Sequence, residues 1–188
     1  MKRIVIFASG SGTNAENIIQ YFQERPIAKV VQVLSNKKDA KVLDKAKNLE
    51  VSAFSFNREA FSKGDDVLHL LQATRPDLIV LAGFLWKVPK KIIEAFPHKI
   101  INIHPALLPK YGGKGMYGMR VHEAIIANGE SYSGITIHYV NEQYDEGAII
   151  FQAETTIEAE DTPKVLAQKI HSLEYEHFPK VIEKLLSE

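Results

Sequence analysis

The sequence predicts an α/β fold: a Rossmann-like, mostly parallel twisted sheet flanked by helices, with an antiparallel hairpin near its C-terminal end. Short apolar runs rich in β-branched residues alternate with amphipathic segments, as in sheets whose strands are buried on both faces and joined by helices. Two later strand-like runs are joined by the link NEQYDEG, which is too short for a parallel crossover. A chain of 188 residues, 45% of them hydrophobic, can build its own core, so we expect a single domain over residues 1–188.

The first half of the chain shows the repeated β-α-β pattern. The run Arg3–Ser9 is rich in β-branched residues, as expected of a strand buried on both faces. Ile18, Ile19 and Phe22 recur at helical spacing and predict a helix over Asn14–Glu24. The same reasoning predicts strands at Lys29–Leu34 and Val51–Phe54 and helices at Ala40–Leu49 and Glu59–Thr74.

The second half begins where Pro76 ends the third helix and the wholly apolar Leu78–Leu81 follows as a strand. A proline also opens the next helix, where its missing N–H has no cost. The glycine-dense Gly112–Gly118 predicts a mobile surface loop, and Pro179 predicts a kink in the last helix. The remaining expected strands are Lys99–His104, Gly134–Val140 and Ala148–Thr156, and the remaining helices are Pro89–Phe96, Met119–Ala127 and Thr162–Leu186.

Composition argues against several classes of function. The 23 basic and 23 acidic residues cancel, which disfavours binding to nucleic acid or to a membrane surface through bulk charge. The absence of cysteine excludes disulfides, thiolate catalysis and cysteine-based metal sites. The apolar run Ile4–Ala8 is shorter than the roughly 7–15 residues of a signal-peptide core, and nothing approaches the ~20 residues of a membrane span. We therefore expect a cytoplasmic protein, a monomer or homodimer, that acts on small molecules.

A glycine-rich loop follows the first strand. Gly10–Ala15 matches G-x-G-x-x-A between a strand and a helix, where free N–H groups at the helix start attract anions. Binding of a dinucleotide also requires an acid after the second strand, but Leu34–Asn36 supplies none. The motif therefore favours a phosphate or small-anion site over a nicotinamide cofactor. The alternative is a tight turn capped by Thr13 or Asn14.

A second candidate site lies at the end of the fifth strand. Asn102 and His104 are two residues apart on an extended chain, so they share one face, and Pro105 keeps His104 extended. A carboxamide beside an imidazole suits stabilisation of an oxyanion and proton transfer. Asp145, in the predicted hairpin link, could reach His104 and hold it oriented and charged. The alternatives are a hydrogen-bonded strand end and an ordinary Asp-Glu-Gly turn.

The other motifs that we considered are absent or do not indicate a function. The sequence lacks G-x-S-x-G, the phosphate loop G-x-x-x-x-G-K-[ST] and H-E-x-x-H. His104, His122 and His138 have no ligand spacing that supports a metal site, so we expect none. The apolar Phe84–Trp86 segment fits either the core or the wall of a pocket for an aromatic ligand.

Together these motifs identify a resemblance. GSGTN, LAGFLWKVP, INIHPALLPKYGGKGMYG and YDEG resemble the folate-dependent formyltransferases over almost the whole chain, from Ile4 to about Pro179. The resemblance implies the formyltransferase fold and direct transfer of a formyl group from the co-substrate 10-formyltetrahydrofolate, without a metal. The GSGTN loop and the short length point to the purine-biosynthesis branch, whose acceptor is the amine of 5'-phosphoribosylglycinamide.

The resemblance also implies roles for individual residues. The family's catalytic residues fall on Asn102, His104 and Asp145. The residues matching its ribonucleotide site are Gly12, Thr13, Asn14, Arg58 and Glu174. The residues matching its folate site are Phe84, Leu85, Trp86, Lys87, Val88, Pro89, Val140, Asn141 and Tyr144. Trp86-Lys87 departs from the residues common at that place in the family.

Three alternatives remain open at this point. A formyltetrahydrofolate hydrolase or a transfer-RNA formyltransferase of the same family would carry similar catalytic residues, but we expect each to add a further domain. A non-catalytic phosphate- or nucleotide-binding module would use only the glycine-rich loop. A nicotinamide-dependent oxidoreductase is disfavoured by the missing acid.

Overall fold

The computed structural model describes every residue from 1 to 188 and forms one seven-stranded sheet with helices on both faces. The strands are β1 (Lys2–Phe7), β2 (Ala28–Ser35), β3 (Ser52–Ser55), β4 (Leu78–Leu81), β5 (Ile100–His104), β6 (Tyr132–Tyr139) and β7 (Ile149–Thr156). The helices are α1 (Thr13–Gln23), α2 (Lys41–Asn48), α3 (Asp66–Thr74), α4 (Lys90–Ala95), α5 (Met119–Ala127) and α6 (Pro163–Ser187). None of the six helices combines the length and the apolar character that a membrane span requires.

The sheet has the strand order β3-β2-β1-β4-β5-β6-β7. Strands β1 to β5 are parallel to one another, whereas β6 pairs antiparallel with both β5 and β7. The predicted fold class and the antiparallel hairpin are therefore confirmed. The strand order reverses between β1 and β4, which is where open α/β sheets form a ligand crevice at the carboxyl ends of their strands.

Apolar residues fill both faces of the sheet, as the continuous apolar runs predicted. Alternate residues of β1 supply the two layers: Ile4 and Ile6 join a cluster of 31 buried residues beneath α1, α2, α5 and α6. Val5 and Phe7 join a smaller cluster of 12 residues beneath α3 and α4. The sheet is thus fixed from both sides, and its carboxyl edge is a rigid base for the loops that follow.

One predicted helix is wrong. Glu59–Thr74 is not continuous: a short π-helical turn, Glu59–Lys63, is followed by a break at Gly64 and then by α3. The backbone of Gly64 is extended, with φ −77° and ψ 177°, and its N–H donates to the carbonyl of Glu59 at 2.8 Å. Because glycine costs a helix interior about 1 kcal/mol, it separates the two segments. The last helix runs without interruption through Pro179.

Candidate active site

The candidate site lies at the carboxyl edge of the sheet, beside the point where the strand order reverses. The loops after β1 and β4 are joined there by hydrogen bonds. The N–H of Ser9 donates to the carbonyl of Gly83 at 3.0 Å, and the N–H of Leu85 donates to the hydroxyl of Ser9 at 3.0 Å. The β6–β7 link closes the site from the other side, so residues distant in sequence become neighbours.

Asp145 is the centre of this site, with a side chain that is 12% exposed. Its Oδ2 accepts the N–H of Gly113 at 2.9 Å and lies 3.6 Å from Nδ1 of His104. Its Oδ1 lies 3.5 Å from Nδ2 of Asn102 and 3.6 Å from Nε2 of His138. The structure therefore brings Asn102, His104 and Asp145 together, as their sequence positions suggested.

Backbone carbonyls fix the orientation of both histidines. Nε2 of His104 donates to the carbonyl of Tyr111 at 2.7 Å, and Nδ1 of His138 donates to the carbonyl of Tyr139 at 2.8 Å. A carbonyl only accepts, so these nitrogens carry protons and the other nitrogen of each ring faces Asp145. When protonated, His138 presents an N–H to Oδ1 of Asp145 at 3.6 Å. When neutral, it presents Nε2 as an acceptor, and Nδ2 of Asn102 donates to it at 3.1 Å.

That hydrogen bond determines what Asn102 can do. One N–H of its amide is committed to His138, and the other points towards Asp145 over a long 3.5 Å contact. Only the second N–H can turn to a substrate oxygen. Asn102 can therefore supply one donor to an oxyanion, and the imidazole of His138 sets its direction.

Burial and ion pairing have opposite effects on the pKa values of His104 and Asp145. Burial lowers the pKa of His104, while the Asp145 carboxylate and the Tyr111 carbonyl oppose that shift without cancelling it. A positive charge on His104, as the sequence analysis expected, therefore costs free energy in this site. For Asp145, burial acts to raise the pKa, but a protonated His138, the charge of His104 and the Gly113 N–H together lower it.

Sequence reasoning missed the part that His138 plays. It considered this residue only as a possible metal ligand and rejected that role, and it assigned His138 no other. The structure contains no group of three or more His, Asp or Glu side chains that could hold a metal ion. His138 is 2% exposed and pairs directly with Asn102 across the β5–β6 ladder. The only signal in the sequence was that His138 alternates along β6 with residues whose side chains point inward.

A cleft beside Asp145 contains most of the predicted folate residues. Of those nine, seven line it: Phe84, Trp86, Lys87, Val88, Val140, Asn141 and Tyr144. Leu81, Gln143, Asn102, His138 and Asp145 complete the lining. Leu85 and Pro89 lie outside the lining. The Leu85 side chain is 41% exposed while its N–H is bound to Ser9, and Pro89 is the N-cap residue of α4.

One wall of the cleft is aromatic. Trp86 lies 6.0 Å from Phe61 and 6.1 Å from Phe56 between ring centroids. The guanidinium of Arg58 lies over the Trp86 ring at 4.8 Å, and the Lys87 ammonium lies 5.8 Å from the Tyr144 ring. Arg58, which the resemblance assigned to the ribonucleotide, therefore contacts a predicted folate residue.

The glycine-rich loop forms the start of α1. Gly12 is its N-cap residue, with φ +71°, and a Cβ there would lie 2.3 Å from Cγ2 of Val42. No side chain caps the helix, so the alternative of a turn capped by Thr13 or Asn14 is wrong, and the first-turn N–H groups remain open to an anion.

A buried carboxylate lies beside this loop. Oε2 of Glu174, whose side chain is 6% exposed, accepts from Nδ2 of Asn14 at 2.9 Å and from Nδ1 of His171 at 3.0 Å. Oδ1 of Asn14 is buried without a hydrogen-bond partner. Buried polar atoms rarely remain unpaired, so this oxygen indicates a place for a ligand group. The predicted ribonucleotide residues Gly12, Thr13, Asn14 and Glu174 are thus adjacent.

Comparisons with known proteins point to one family. The chain matches the family described as formyl transferase over residues 2–182. It is 39% identical to the phosphoribosylglycinamide formyltransferase of Haemophilus influenzae, over 97% of this chain and 86% of that one. It is 35% identical to the chloroplastic enzyme of the same name from Arabidopsis thaliana, and it spans only 66% of that relative's length. The crystal structure of phosphoribosylglycinamide formyltransferase from Bacillus halodurans superposes with a TM-score of 0.89 at 36% identity, covering 100% of this chain and 96% of the other.

Proposed function

The chain belongs to the formyl transferase family, and from that premise we propose that it transfers the formyl group of 10-formyltetrahydrofolate to the amine of 5'-phosphoribosylglycinamide. The products are the N-formyl ribonucleotide and tetrahydrofolate. One observation carries the proposal: the Asp145 carboxylate lies between His104 and Asn102 at the edge of the aromatic-walled cleft.

The two substrates approach this centre from opposite sides. The apolar faces of Phe84, Trp86, Val88 and Tyr144 suit the flat ring system of the folate. The open N–H groups at the start of α1 suit the phosphate of the ribonucleotide.

Further contacts with the ribonucleotide come from two polar groups beside the loop. The Glu174 carboxylate suits the ribose hydroxyls, and the unpaired Oδ1 of Asn14 accepts a donor from the same substrate. The guanidinium of Arg58, beside Trp86, is available to an anionic substrate group at the cleft.

The reaction joins the amine nitrogen to the formyl carbon and then breaks the bond between that carbon and N10 of the folate. The carbonyl oxygen becomes an oxyanion in the tetrahedral intermediate. The second N–H of Asn102 and a proton on Nδ1 of His104 are the donors we assign to it, and one such donor is worth roughly 3–4 kcal/mol of barrier.

Asp145 moves the proton that the reaction releases. The attacking amine loses one proton and the leaving nitrogen gains one, so no proton is consumed overall. The Asp145 carboxylate, 3.6 Å from Nδ1 of His104, favours the protonated imidazole against the effect of burial. We assign Asp145 to relay the amine proton to the leaving nitrogen through a water molecule.

A continuous absorbance assay of folate deformylation, run with and without 5'-phosphoribosylglycinamide, tests this function. We expect turnover only when the ribonucleotide is present. Turnover without it would identify a hydrolase and contradict the acceptor. Ribonucleotide binding without turnover, from a folded protein, would instead support the non-catalytic binding module.

A further inference from the structure

The two catalytic groups are held by the backbone of a short segment, Tyr111–Gly113. The carbonyl of Tyr111 accepts from Nε2 of His104 at 2.7 Å, and the N–H of Gly113 donates to Oδ2 of Asp145 at 2.9 Å. One segment therefore sets the proton position on His104 and the position of Asp145 together. A shift of this segment would move both groups relative to the substrates.

The conformation of this segment is not one that its sequence favours. Tyr111 has φ +56°, in the left-handed region that bulky residues rarely occupy. Gly112 leaves no room for a side chain, because a Cβ there would lie 2.5 Å from Cδ2 of Leu108 and 3.3 Å from Cβ of Asp145. Tyrosine at position 111 must therefore be held in place by contacts elsewhere.

The phenol of Tyr111 provides those contacts on the side away from the catalytic groups. Its hydroxyl donates to Oε1 of Glu130 at 2.7 Å and accepts from Nδ2 of Asn128 at 2.8 Å. Nζ of Lys110 lies 3.2 Å from the same Glu130 oxygen. The link after α5 thereby anchors the ring, although neither Asn128 nor Glu130 contacts His104 or Asp145.

We propose that Tyr111 is a positioning residue for the reaction: its anchored phenol fixes the left-handed backbone that places the Tyr111 carbonyl on His104 and the Gly113 N–H on Asp145. This inference rests on the proposed function and deepens it. Tyr111 acts through the backbone, so its side chain needs no contact with either substrate.

The test is Tyr111→Phe, which removes only the hydroxyl. We expect kcat to fall about tenfold, because reacting groups displaced by fractions of an ångström lose much of their advantage, while both KM values change less than about twofold. Glu130→Ala, which removes the acceptor instead, should lower kcat in the same way. Tyr132→Phe is the matched control, since Tyr132 is 56% exposed and its hydroxyl makes no hydrogen bond.

A second readout needs no turnover. In nitrogen-15 NMR of the imidazole rings, with the His104 signals assigned from a His104→Asn spectrum, wild-type protein should show the proton on Nε2. Tyr111→Phe should shift this signal or mix the two tautomers, and Tyr132→Phe should not. Unchanged kcat with unchanged His104 signals in Tyr111→Phe would overturn the proposal, even if thermal stability fell.

The two readouts separate this proposal from the function on which it rests. A wild-type protein that fails to turn over would contradict the proposed function. The NMR comparison would then still decide whether Tyr111 positions His104, because it is made without substrate.

Discussion

Asp145 is the residue at which we expect the largest loss of activity. Asp145→Asn keeps the shape of the side chain but removes the charge that supports a proton on His104. We expect kcat to fall by about 10²–10⁴ with a much smaller change in KM, because the lost interaction acts in the transition state. Asp39→Asn, at an exposed position, should have no effect. Steady-state kinetics decide the matter, and an equal loss in kcat and affinity would indicate a structural role.

His138 should be visible in the pH dependence of the reaction. The proposed mechanism requires both a neutral amine and a charged imidazole, so we expect a bell-shaped rate profile. Burial is the main cause that lowers the pKa of His104, and repulsion from a charged His138 adds to it. His138→Gln should therefore raise the pKa of His104 and move the alkaline limb, where His104 loses its proton, to higher pH. Profiles of kcat/KM between about pH 5 and 9 measure this. A flat profile, or the same shift in the exposed His69→Gln, would contradict the assignment.

Among single residues, the sequence predicted those site residues whose relative positions follow from local spacing along one strand. Asn102 and His104 are two apart on a strand that ends at a proline, so their shared face could be predicted. The contact of His138 with Asn102 could not be predicted, because it depends on the register between β5 and β6. Tyr111 and Gly113 contribute backbone atoms, which leave no signature in the residue type.

Among the elements, the loop before α1 makes the sharpest stability prediction. In Gly12→Ala the new methyl would meet Val42 at 2.3 Å on a backbone with φ +71°. Strain and overpacking should together cost about 2–4 kcal/mol and should also raise the KM for the ribonucleotide. Chemical denaturation and kinetics measure the two effects.

The same loop offers a matched control. A Cβ on Gly10 would meet nothing within 4 Å, and the backbone there is not left-handed. Gly10→Ala should therefore change the free energy of unfolding by no more than about 0.5 kcal/mol. Similar losses in both variants would mean that general rigidity, rather than the close approach to Val42, determines the effect.

The helices and strands were largely predictable from the spacing of hydrophobic residues. Every predicted strand overlaps an observed one, with ends that differ by at most two residues. The exception among the helices, Glu59–Thr74, has apolar residues at helical spacing on both sides of Gly64. The spacing of apolar residues alone therefore could not show the break, although a glycine at this position is itself a signal that a helix ends.

In the molecule as a whole, the sheet assembles the site from widely separated parts of the chain. The parallel order of β1, β4 and β5 brings their carboxyl ends together, which the β-α-β pattern predicts. The approach of α6, which brings Glu174 to Asn14 over 160 positions, depends on tertiary packing that periodicity does not encode. The resemblance to known proteins supplied that residue, whereas the local pattern did not.

The same assembly buries histidines and so makes stability depend on pH. His122 is 4% exposed, and its Nδ1 has no hydrogen-bond partner. Burial lowers its pKa below 6.5, repulsion from His171 and His104 adds to this, and Glu174 opposes it. Between the folded pKa and 6.5 the unfolded chain binds more protons than the folded one, so stability is lost as the pH falls through that range.

His122→Leu tests this dependence. Leucine is of similar size, leaves no unpaired polar atom and cannot titrate, so the variant should lose less stability than the wild type between about pH 7.5 and 5.5. Part of the loss should remain, because burial also lowers the pKa of His104. Urea unfolding at each pH measures the difference, with the exposed His69→Gln as the control that should follow the wild type. If His122→Leu has the same slope as the wild type, the imidazole is protonated equally easily in both states and its burial carries no cost.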